Sequence, residues 1–176
     1  MNNNLTFDHY VKLNIDYSNV VNSTLDIEND SIFSFESGTG ITWLMDPNND
    51  IDWSNRSGGT PSFQTGPTSA FDGSFYMYTE ASGNGNGYPN KEAIMYVECV
   101  DPTQWTELGL AFAYNMYGST MGTLSVDISP DSGTTWIEEW TLSGDQGAQW
   151  YEAYVDLSAY TCLLYTSDAA DDTPCV

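Results

Sequence analysis

Hydrophobic and polar residues alternate over short stretches along much of the chain, and these stretches end at Gly, Pro, Asn or Asp. A period of two residues is that of a β-strand with one face on a core, and the bounding residues are those of turns. No window of a dozen residues keeps a helical apolar spacing without a helix breaker. The pattern therefore predicts strands alone, at residues 32–36, 41–45, 74–81, 93–99, 108–117, 122–129, 135–142 and 150–157.

The alternation also assigns side chains to faces. In 122–129, the apolar residues Leu124, Val126 and Ile128 face a core, and the polar residues between them face water. In 150–157, one face carries Tyr151, Ala153, Val155 and Leu157, and the opposite face carries Glu152, Tyr154 and Asp156. In 108–117, large apolar residues alternate with small ones, so both faces are predicted to be covered, as in a central strand. The expected fold is all-β, a two-sheet antiparallel β-sandwich that is jelly-roll-like.

Charge narrows the choice of partners. The 176 residues contain 25 acids and 3 bases, a formal net charge of -22. Nucleic acids and anionic lipids are bound through Lys and Arg, so neither is an expected partner. No run of 18 apolar residues is present, and no direct membrane insertion is predicted. The remaining candidate partners are a protein ligand and a glycan ligand.

Six short motifs follow one another in an order used by one domain family. They are FE at 35–36, DW at 52–53, SGGTPS at 57–62, TGP at 65–67, YMYTEAS at 76–82 and YNMYGSTMGTLSV at 114–126. On these motifs the chain resembles the MAM domain family. The resemblance implies a β-sandwich and an extracellular recognition or adhesion module, secreted or at the cell surface. The lack of the cysteines that many animal members carry favours a bacterial protein.

A calcium site is one candidate for chemistry. The segment 46–52 places oxygen-bearing side chains densely on a loop, and calcium is bound by six to eight oxygens. It is not an EF-hand, because the positions that need Gly and Glu hold Ile51 and Ser57. The family resemblance implies a different set of metal ligands, Glu36, Asp50 and Asp52. The alternative is a solvated acidic loop that forms turns, and the sequence leaves both open.

Residues 129–136 match the Asp-box pattern S-x-D-x-G-x-T-W of sialidase-type propellers. As a turn, this pattern predicts a hairpin in which Asp131 accepts backbone N–H groups, Gly133 has a positive φ and Trp136 packs beneath the loop. The pattern occurs once, and a sialidase needs several arginines whereas this chain has one, Arg56. Arg56 is predicted to be structural, paired with an acid or with backbone carbonyls from another strand. No catalytic triad, zinc motif or phosphate loop is present, which predicts a non-enzyme.

The chain is expected to divide into three parts. Residues 1–30 are predicted to be a linker or the end of a preceding domain, and 31–161 a MAM-like β-sandwich. Residues 162–176 follow the translation of a transposase adapter, which predicts an exposed tail outside the fold. The sandwich would then be truncated at its C-terminus, and one sheet would have a bare edge.

The predicted function is a non-catalytic recognition or adhesion module of a larger secreted bacterial protein. The alternative is a carbohydrate-binding module accessory to a secreted hydrolase or protease, because jelly rolls also hold sugars on aromatic side chains. Tyr88, in the loop GNGNGYPN, is the aromatic residue predicted to be most available to a ligand.

Overall fold

The structure is a computed structural model that describes residues 10–16, 25–27, 31–33, 35–36, 43–80, 91–97, 109–131 and 133–160. Within these ranges the chain forms eleven strands and one short 3-10 helix, Ser158–Tyr160. The strands are β1 (Tyr10–Asp16), β2 (Leu25–Ile27), β3 (Ser31–Phe33), β4 (Leu44–Met45), β5 (Ser54–Ser57), β6 (Phe75–Tyr78), β7 (Glu92–Val97), β8 (Gly109–Tyr114), β9 (Thr123–Ser129), β10 (Ile137–Ser143) and β11 (Tyr151–Asp156).

Two antiparallel sheets carry most of these strands. The first has the order β10-β9-β1-β7-β4, and the second has the order β11-β8-β2-β3. The strands β5 and β6 form a separate two-stranded ribbon. Nearly every described element is a strand, and the all-β antiparallel sandwich is confirmed.

The core lies between the two sheets. Met95 of β7 and Val126 of β9 come from the first sheet, and Phe112 of β8 and Val155 of β11 come from the second. Trp53, which is 3% exposed, joins the same cluster and donates its indole N–H to the carbonyl of Ala93 at 3.1 Å. A buried Trp needs such a partner, because an unpaired indole N–H would be costly to desolvate.

The faces follow the alternation of the sequence, with one exception. Leu124, Val126 and Ile128 of β9 are buried as predicted. The predicted solvent face of this strand is also buried, since Ser125 and Asp127 are 6% and 8% exposed. The prediction for these two residues is wrong, because both are buried although polar; β10 and β1 flank them within the sheet. The prediction for β8 is confirmed: it lies between β11 and β2 and is buried on both faces.

The N-terminal segment, predicted to be a linker or the end of a preceding domain, contains strands that pair in both sheets. Residues of β1 pair with β7 on one side and with β9 on the other, so that Leu13 lies opposite both Met95 and Val126. The short strand β2 pairs with β8 in the second sheet. Segment 1–30 therefore contributes backbone to both sheets. Its sequence carries the signal for β1, since Val11, Leu13 and Ile15 alternate with polar residues.

Two predicted features lie outside the described residues. The segment 162–176 is one of them, so the adapter-derived tail stays a prediction. Among the described strands, β11 has one neighbour, β8, and lies at the edge of its sheet. The chain beyond Tyr160 is not described, so the bare edge also stays a prediction.

In the described part of the chain, no helix is both long enough and apolar enough to cross a membrane.

Candidate recognition surface

A long turn connects β5 to β6. The two strands pair in register from Ser54 opposite Tyr78 to Ser57 opposite Phe75. The sequence of β5 is SNRS, which has no apolar alternation, so its strand geometry depends on pairing with β6. In β6, Tyr76 and Met77 are buried. The ribbon therefore fixes both ends of the intervening segment 58–74.

Hydrogen bonds fold the first part of this segment, residues 58–67, into a compact loop. The N–H of Thr60 donates to the carbonyl of Pro67 at 3.2 Å, and the Thr60 hydroxyl donates to the carbonyl of Thr65. The N–H of Gly66 donates to the carbonyl of Tyr117 at 2.9 Å, which ties the loop to the end of β8. Gly66 has a φ of 63°, and a Cβ there would lie 2.5 Å from Cγ2 of Thr60. Only glycine fits this position without strain.

A second long-range contact, the hydrogen bond between Ser62 and Glu80, connects the loop to the residues that follow β6. We call it the Ser62–Glu80 tie. The hydroxyl of Ser62 lies 2.9 and 3.0 Å from the two carboxylate oxygens of Glu80, which accept its hydrogen bond. The next residue, Phe63, is 88% exposed, the most exposed large hydrophobic side chain in the described residues. Gln64 has a φ of 59°, in the left-handed region that non-glycine residues seldom adopt. The loop therefore holds an aromatic side chain outward on a backbone that is fixed on both sides.

Arg56 supports the base of this loop. Its Nε donates to the carbonyl of Gly59, and its guanidinium lies 5.6 Å from the centroid of the Tyr78 ring. The predicted structural role and the backbone carbonyl partner are found. The expectation that the carbonyl comes from another strand is wrong, because Gly59 follows Arg56 in the same turn. The contact from another strand is the cation–π contact with Tyr78.

An open cleft of about 480 Å³ lies beside the loop. It is lined by Asn49, Asp50, Ile51, Asp52, Ser54, Tyr78 and Glu80. Glu80 belongs both to this lining and to the tie with Ser62, so the cleft adjoins the loop that carries Phe63. We call Phe63 together with the cleft the recognition surface. It combines one exposed aromatic ring with three acidic residues.

The predicted metal ligands are placed in two locations. Asp50 and Asp52 line the cleft, whereas Glu36 accepts hydrogen bonds from the N–H groups of Ser74 and Phe75, each at 2.6 Å. Glu36 is not part of the cleft lining. Over the part of the chain that the structure describes, no group of three or more His, Cys, Asp or Glu side chains is arranged to hold a metal ion.

Asp50 already has partners in this arrangement. One carboxylate oxygen accepts the N–H of Glu92 at 3.0 Å, and the other lies 3.5 Å from the ammonium of Lys91. The hydrogen bond from the Glu92 N–H is the main cause that lowers the pKa of Asp50. The charge of Lys91 lowers this pKa further, whereas desolvation raises it. A calcium ion shared by Glu36, Asp50 and Asp52 would therefore have to replace these contacts, and the described geometry does not assemble the three residues around one ion. Calcium binding stays a prediction.

The Asp-box turn, residues 129–136, has the predicted geometry. It connects β9 to β10, and Asp131 accepts the N–H and the hydroxyl of Thr135, each at 2.7 Å. These hydrogen bonds lower the pKa of Asp131, and the bond from the Thr135 N–H has the largest effect. Gly133 has a φ of 79°, and its Cβ position lies 3.7 Å from the Trp136 ring. The described bonds of Asp131 stay within the turn, which connects the paired strands β9 and β10.

Sequence reasoning missed Phe63 and instead selected Tyr88, which lies outside the described residues. The available signal was local. Phe63 is a large apolar residue inside TPSFQTGP, a segment of turn residues with no alternation that would bury it. An isolated aromatic residue in such a segment has no predicted place in the core. Its exposure nevertheless depends on the Ser62–Glu80 and Gly66–Tyr117 contacts, which join residues distant in sequence.

Comparisons with known proteins agree with this architecture. The described strands form the antiparallel β-sandwich that the resemblance to the MAM domain family implies. The model of the MAM domain family, "meprin/A5/mu", matches residues 33–165, which is more than half of the chain. The chain belongs to the MAM domain family. MAM domains are extracellular adhesion-type modules.

Individual relatives give the same assignment. The chain is 34% identical over 107 residues to neuropilin-1a of Danio rerio, covering 58% of this chain and 11% of the relative. It is 30% identical over 141 residues to MAM domain-containing glycosylphosphatidylinositol anchor protein 2 of Homo sapiens, covering 72% of this chain and 15% of the relative. The chain thus spans a small part of the curated relatives that it matches. No solved structure matches significantly.

Proposed function

We propose that this chain is a non-catalytic extracellular module that binds a protein ligand through the recognition surface. The observation that carries the proposal is the exposure of Phe63 on a loop held by long-range hydrogen bonds. A ring that is 88% exposed contributes little to the fold, and its burial against a partner would add hydrophobic free energy. Because the loop is fixed before binding, little conformational entropy is lost when the partner docks.

The cleft indicates the chemistry of the partner. Asp50, Asp52 and Glu80 line the cleft, and Glu80 accepts a hydrogen bond from Ser62, the residue before Phe63. The chain as a whole carries a formal charge of -22. A complementary surface has an apolar pocket for the ring, with lysine or arginine next to it. The acids steer such a surface during encounter, and Phe63 supplies most of the short-range affinity.

Binding to an array of extracellular protein domains tests the proposal. The chain is biotinylated, assembled as a tetramer on streptavidin and presented as wild type and as Phe63→Ala. We expect saturable binding to at least one protein with a basic surface, weakened by about 2 kcal/mol or more in the variant. Ile137→Ala is the matched control, because Ile137 is a 43%-exposed apolar residue on β10. Binding that Phe63→Ala leaves unchanged contradicts the proposal.

We also propose calcium as a ligand of the cleft, held by Asp50 and Asp52. Glu36, the third predicted ligand, lies outside the cleft and would have to give up its hydrogen bonds from Ser74 and Phe75 to join them. The support for calcium is the density of carboxylates, whose mutual repulsion a divalent ion would relieve. A thermal melt in EDTA and then in millimolar calcium tests it. Native-state binding adds about 2.7 kcal/mol when free calcium is a hundredfold above Kd. An unchanged melt, or an equal gain in Asp52→Asn, contradicts it.

The wider context also belongs to this proposal. A larger secreted or cell-surface bacterial protein would carry the module, and the low cysteine content is what supports a bacterial source. The alternative of a module accessory to a hydrolase or protease stays a prediction. Recovery of the complete gene tests both, because the neighbouring domains would include a catalytic domain in the second case.

A further inference from the structure

Residues 115–118, which follow β8, form the surface on which the loop 58–67 is anchored. The N–H of Gly66 donates to the carbonyl of Tyr117 at 2.9 Å. A Cβ added at Gly118 would lie 3.1 Å from Cγ2 of Thr65, so the two segments are also in close contact at the next residue. The position of the loop therefore depends on how segment 115–118 is held.

The segment 144–149, which lies between β10 and β11, holds residues 115–118 through hydrogen bonds. The N–H of Gln146 donates to the carbonyl of Met116 at 2.6 Å. The carboxylate of Asp145 accepts the N–H of Gly118 at 3.2 Å. Three segments thus meet at this junction, and segment 115–118 is in contact with both of the others.

Asn115 is the buried polar side chain of this junction, and it is 0% exposed. Its amide nitrogen donates to the carbonyls of Ala148 and Gln149, at 3.0 and 3.1 Å. These two acceptors fix the orientation of the amide, because the reversed amide would direct its oxygen at two carbonyl oxygens and lose both bonds. The amide oxygen therefore points away from the carbonyls of segment 144–149.

The amide oxygen of Asn115 has no hydrogen-bond partner in the described part of the chain. Among the buried side-chain nitrogen and oxygen atoms of the described residues, it shares this property only with Nε1 of Trp43. A buried acceptor without a hydrogen bond is destabilising, and in native proteins such atoms are bonded to the protein or to ordered water. The oxygen therefore needs a donor that the described residues do not supply.

We propose that the amide oxygen of Asn115 binds one internal water molecule, and that the hydrated amide keeps segment 115–118 where the loop 58–67 is anchored. A water molecule can donate one hydrogen to this oxygen. The carbonyls of Ala148 and Gln149 each keep a second lone pair, so further acceptors lie close to the same amide. Both of these residues are exposed, and water can reach the junction from their side.

The chemistry of the site favours water over other ligands. A larger molecule cannot reach an oxygen on a fully buried side chain. A metal ion needs several oxygen ligands, and the described residues place no group of three or more His, Cys, Asp or Glu side chains to hold one. The inference does not rest on the proposed protein ligand, because it concerns how the loop is held and not what the loop binds.

Magnetic relaxation dispersion of ¹⁷O tests the inference, because it counts water molecules that stay bound longer than the protein takes to tumble. The full chain is compared with Asn115→Leu, in which an apolar side chain of similar shape replaces the amide. We expect one long-lived water fewer in this variant. Asn55→Leu is the matched control, because Asn55 is an exposed residue and its replacement should leave the count unchanged.

Hydrogen exchange measured by NMR tests the link to the loop. In Asn115→Leu the N–H of Gly66 should exchange about tenfold faster, because segment 115–118 loses the contacts that hold its carbonyl acceptor in place. The N–H of Thr135, which donates to Asp131 within the Asp-box turn, is the internal control and should exchange at the wild-type rate.

Three outcomes overturn the inference. The first is an equal number of long-lived waters in the wild type and in Asn115→Leu, and the second is unchanged exchange at Gly66. The third comes from a high-resolution crystal structure of the wild type, which decides the matter if Asn115→Leu does not fold. A water roughly 3 Å from the amide oxygen supports the inference, and an oxygen without one contradicts it. None of these measurements uses a ligand, so failure of the array experiment concerns the recognition surface alone.

Discussion

Two turns of this molecule have similar compositions and different uses. The Asp-box turn, 129–136, and the loop 58–67 are both rich in Gly, Ser and Thr, and each contains glycine at positive φ and one large aromatic residue. The Asp-box turn closes on itself, since Asp131 bonds Ser129 and Thr135. The loop is closed partly by other elements, through Glu80 and Tyr117.

Their aromatic residues differ accordingly. Trp136 is 37% exposed and packs near Gly133, whereas Phe63 is 88% exposed. The described hydrogen bonds of Asp131 join residues of the same turn, and this turn connects the paired strands β9 and β10. A loop that distant residues hold in place can keep an apolar side chain in water, and this arrangement favours recognition. Four predictions test whether the two turns differ in this way.

The largest difference is expected from glycine substitution. Gly66→Ala adds a methyl group 2.5 Å from Thr60 at a positive φ, and we expect a loss of about 2–4 kcal/mol of unfolding free energy. Gly133→Ala has the unfavourable φ but 3.7 Å of clearance, so about 1–2 kcal/mol is expected. Urea unfolding measures both. Equal losses would mean that packing does not distinguish the two turns.

The tie between Ser62 and Glu80 is expected to contribute less. Ser62→Ala removes a half-buried hydrogen bond to a carboxylate, and we expect a loss of about 1 kcal/mol. Hydrogen exchange should become faster in residues 60–66 and stay unchanged in the Asp-box turn. Ser69→Ala is the matched control, because the exposed Ser69 hydroxyl bonds the carbonyl of the adjacent residue. An equal loss in Ser69→Ala would contradict a specific role for the tie.

The Asp-box turn should be sensitive to acid. The pKa of Asp131 is lowered from 3.8 in the fold, so its stabilising contribution is complete above this value and is lost as the pH falls through the lower folded pKa. Asp131→Asn should therefore be less stable than the wild type at pH 7, and this difference in stability should disappear below pH 3.8. Melts between pH 7 and pH 2 measure it. A difference that is independent of pH would show that the carboxylate charge is not involved.

The smallest effect on stability is expected from Phe63→Ala. Because the ring is 88% exposed, its removal should change the unfolding free energy by no more than about 0.5 kcal/mol. Trp136→Ala should cost more, since its ring packs against the turn. A destabilisation by Phe63→Ala as large as that of Trp136→Ala would indicate that the ring belongs to the fold and would weaken the proposed function.

Local patterns predicted much of the sandwich. The alternation in β9 and β11 identified their inward faces, and the Asp-box pattern identified a turn that depends on its own residues. The pattern in β1 is equally regular, although residues 1–30 are predicted to be a linker or the end of a preceding domain. The neighbours of β1 are β7 and β9, and the alternation alone does not identify partners this distant in sequence.

The remaining features depend on contacts between distant residues. The sequence SNRS of β5 does not alternate, and it becomes a strand through its pairing with β6. The recognition surface needs Ser62 near Glu80, and the Tyr154 ring lies over Gly109. None of these pairs is close in sequence, so no local pattern identifies them. The density of acids in 46–52 can be recognised in the sequence, whereas the contact between Asp50 and Lys91 joins residues far apart in the chain and cannot.

The position of β1 has a consequence for biosynthesis. The first described strand lies in the middle of the five-stranded sheet, with β7 and β9 on either side. On the ribosome, Tyr10–Asp16 is made early but cannot be enclosed until Thr123–Ser129 has emerged. Pairing over such a separation makes folding slow, because a large loop must close before the contacts are gained. During that interval β1 lacks its native neighbours, and an unpaired strand of this kind is prone to pair with another chain.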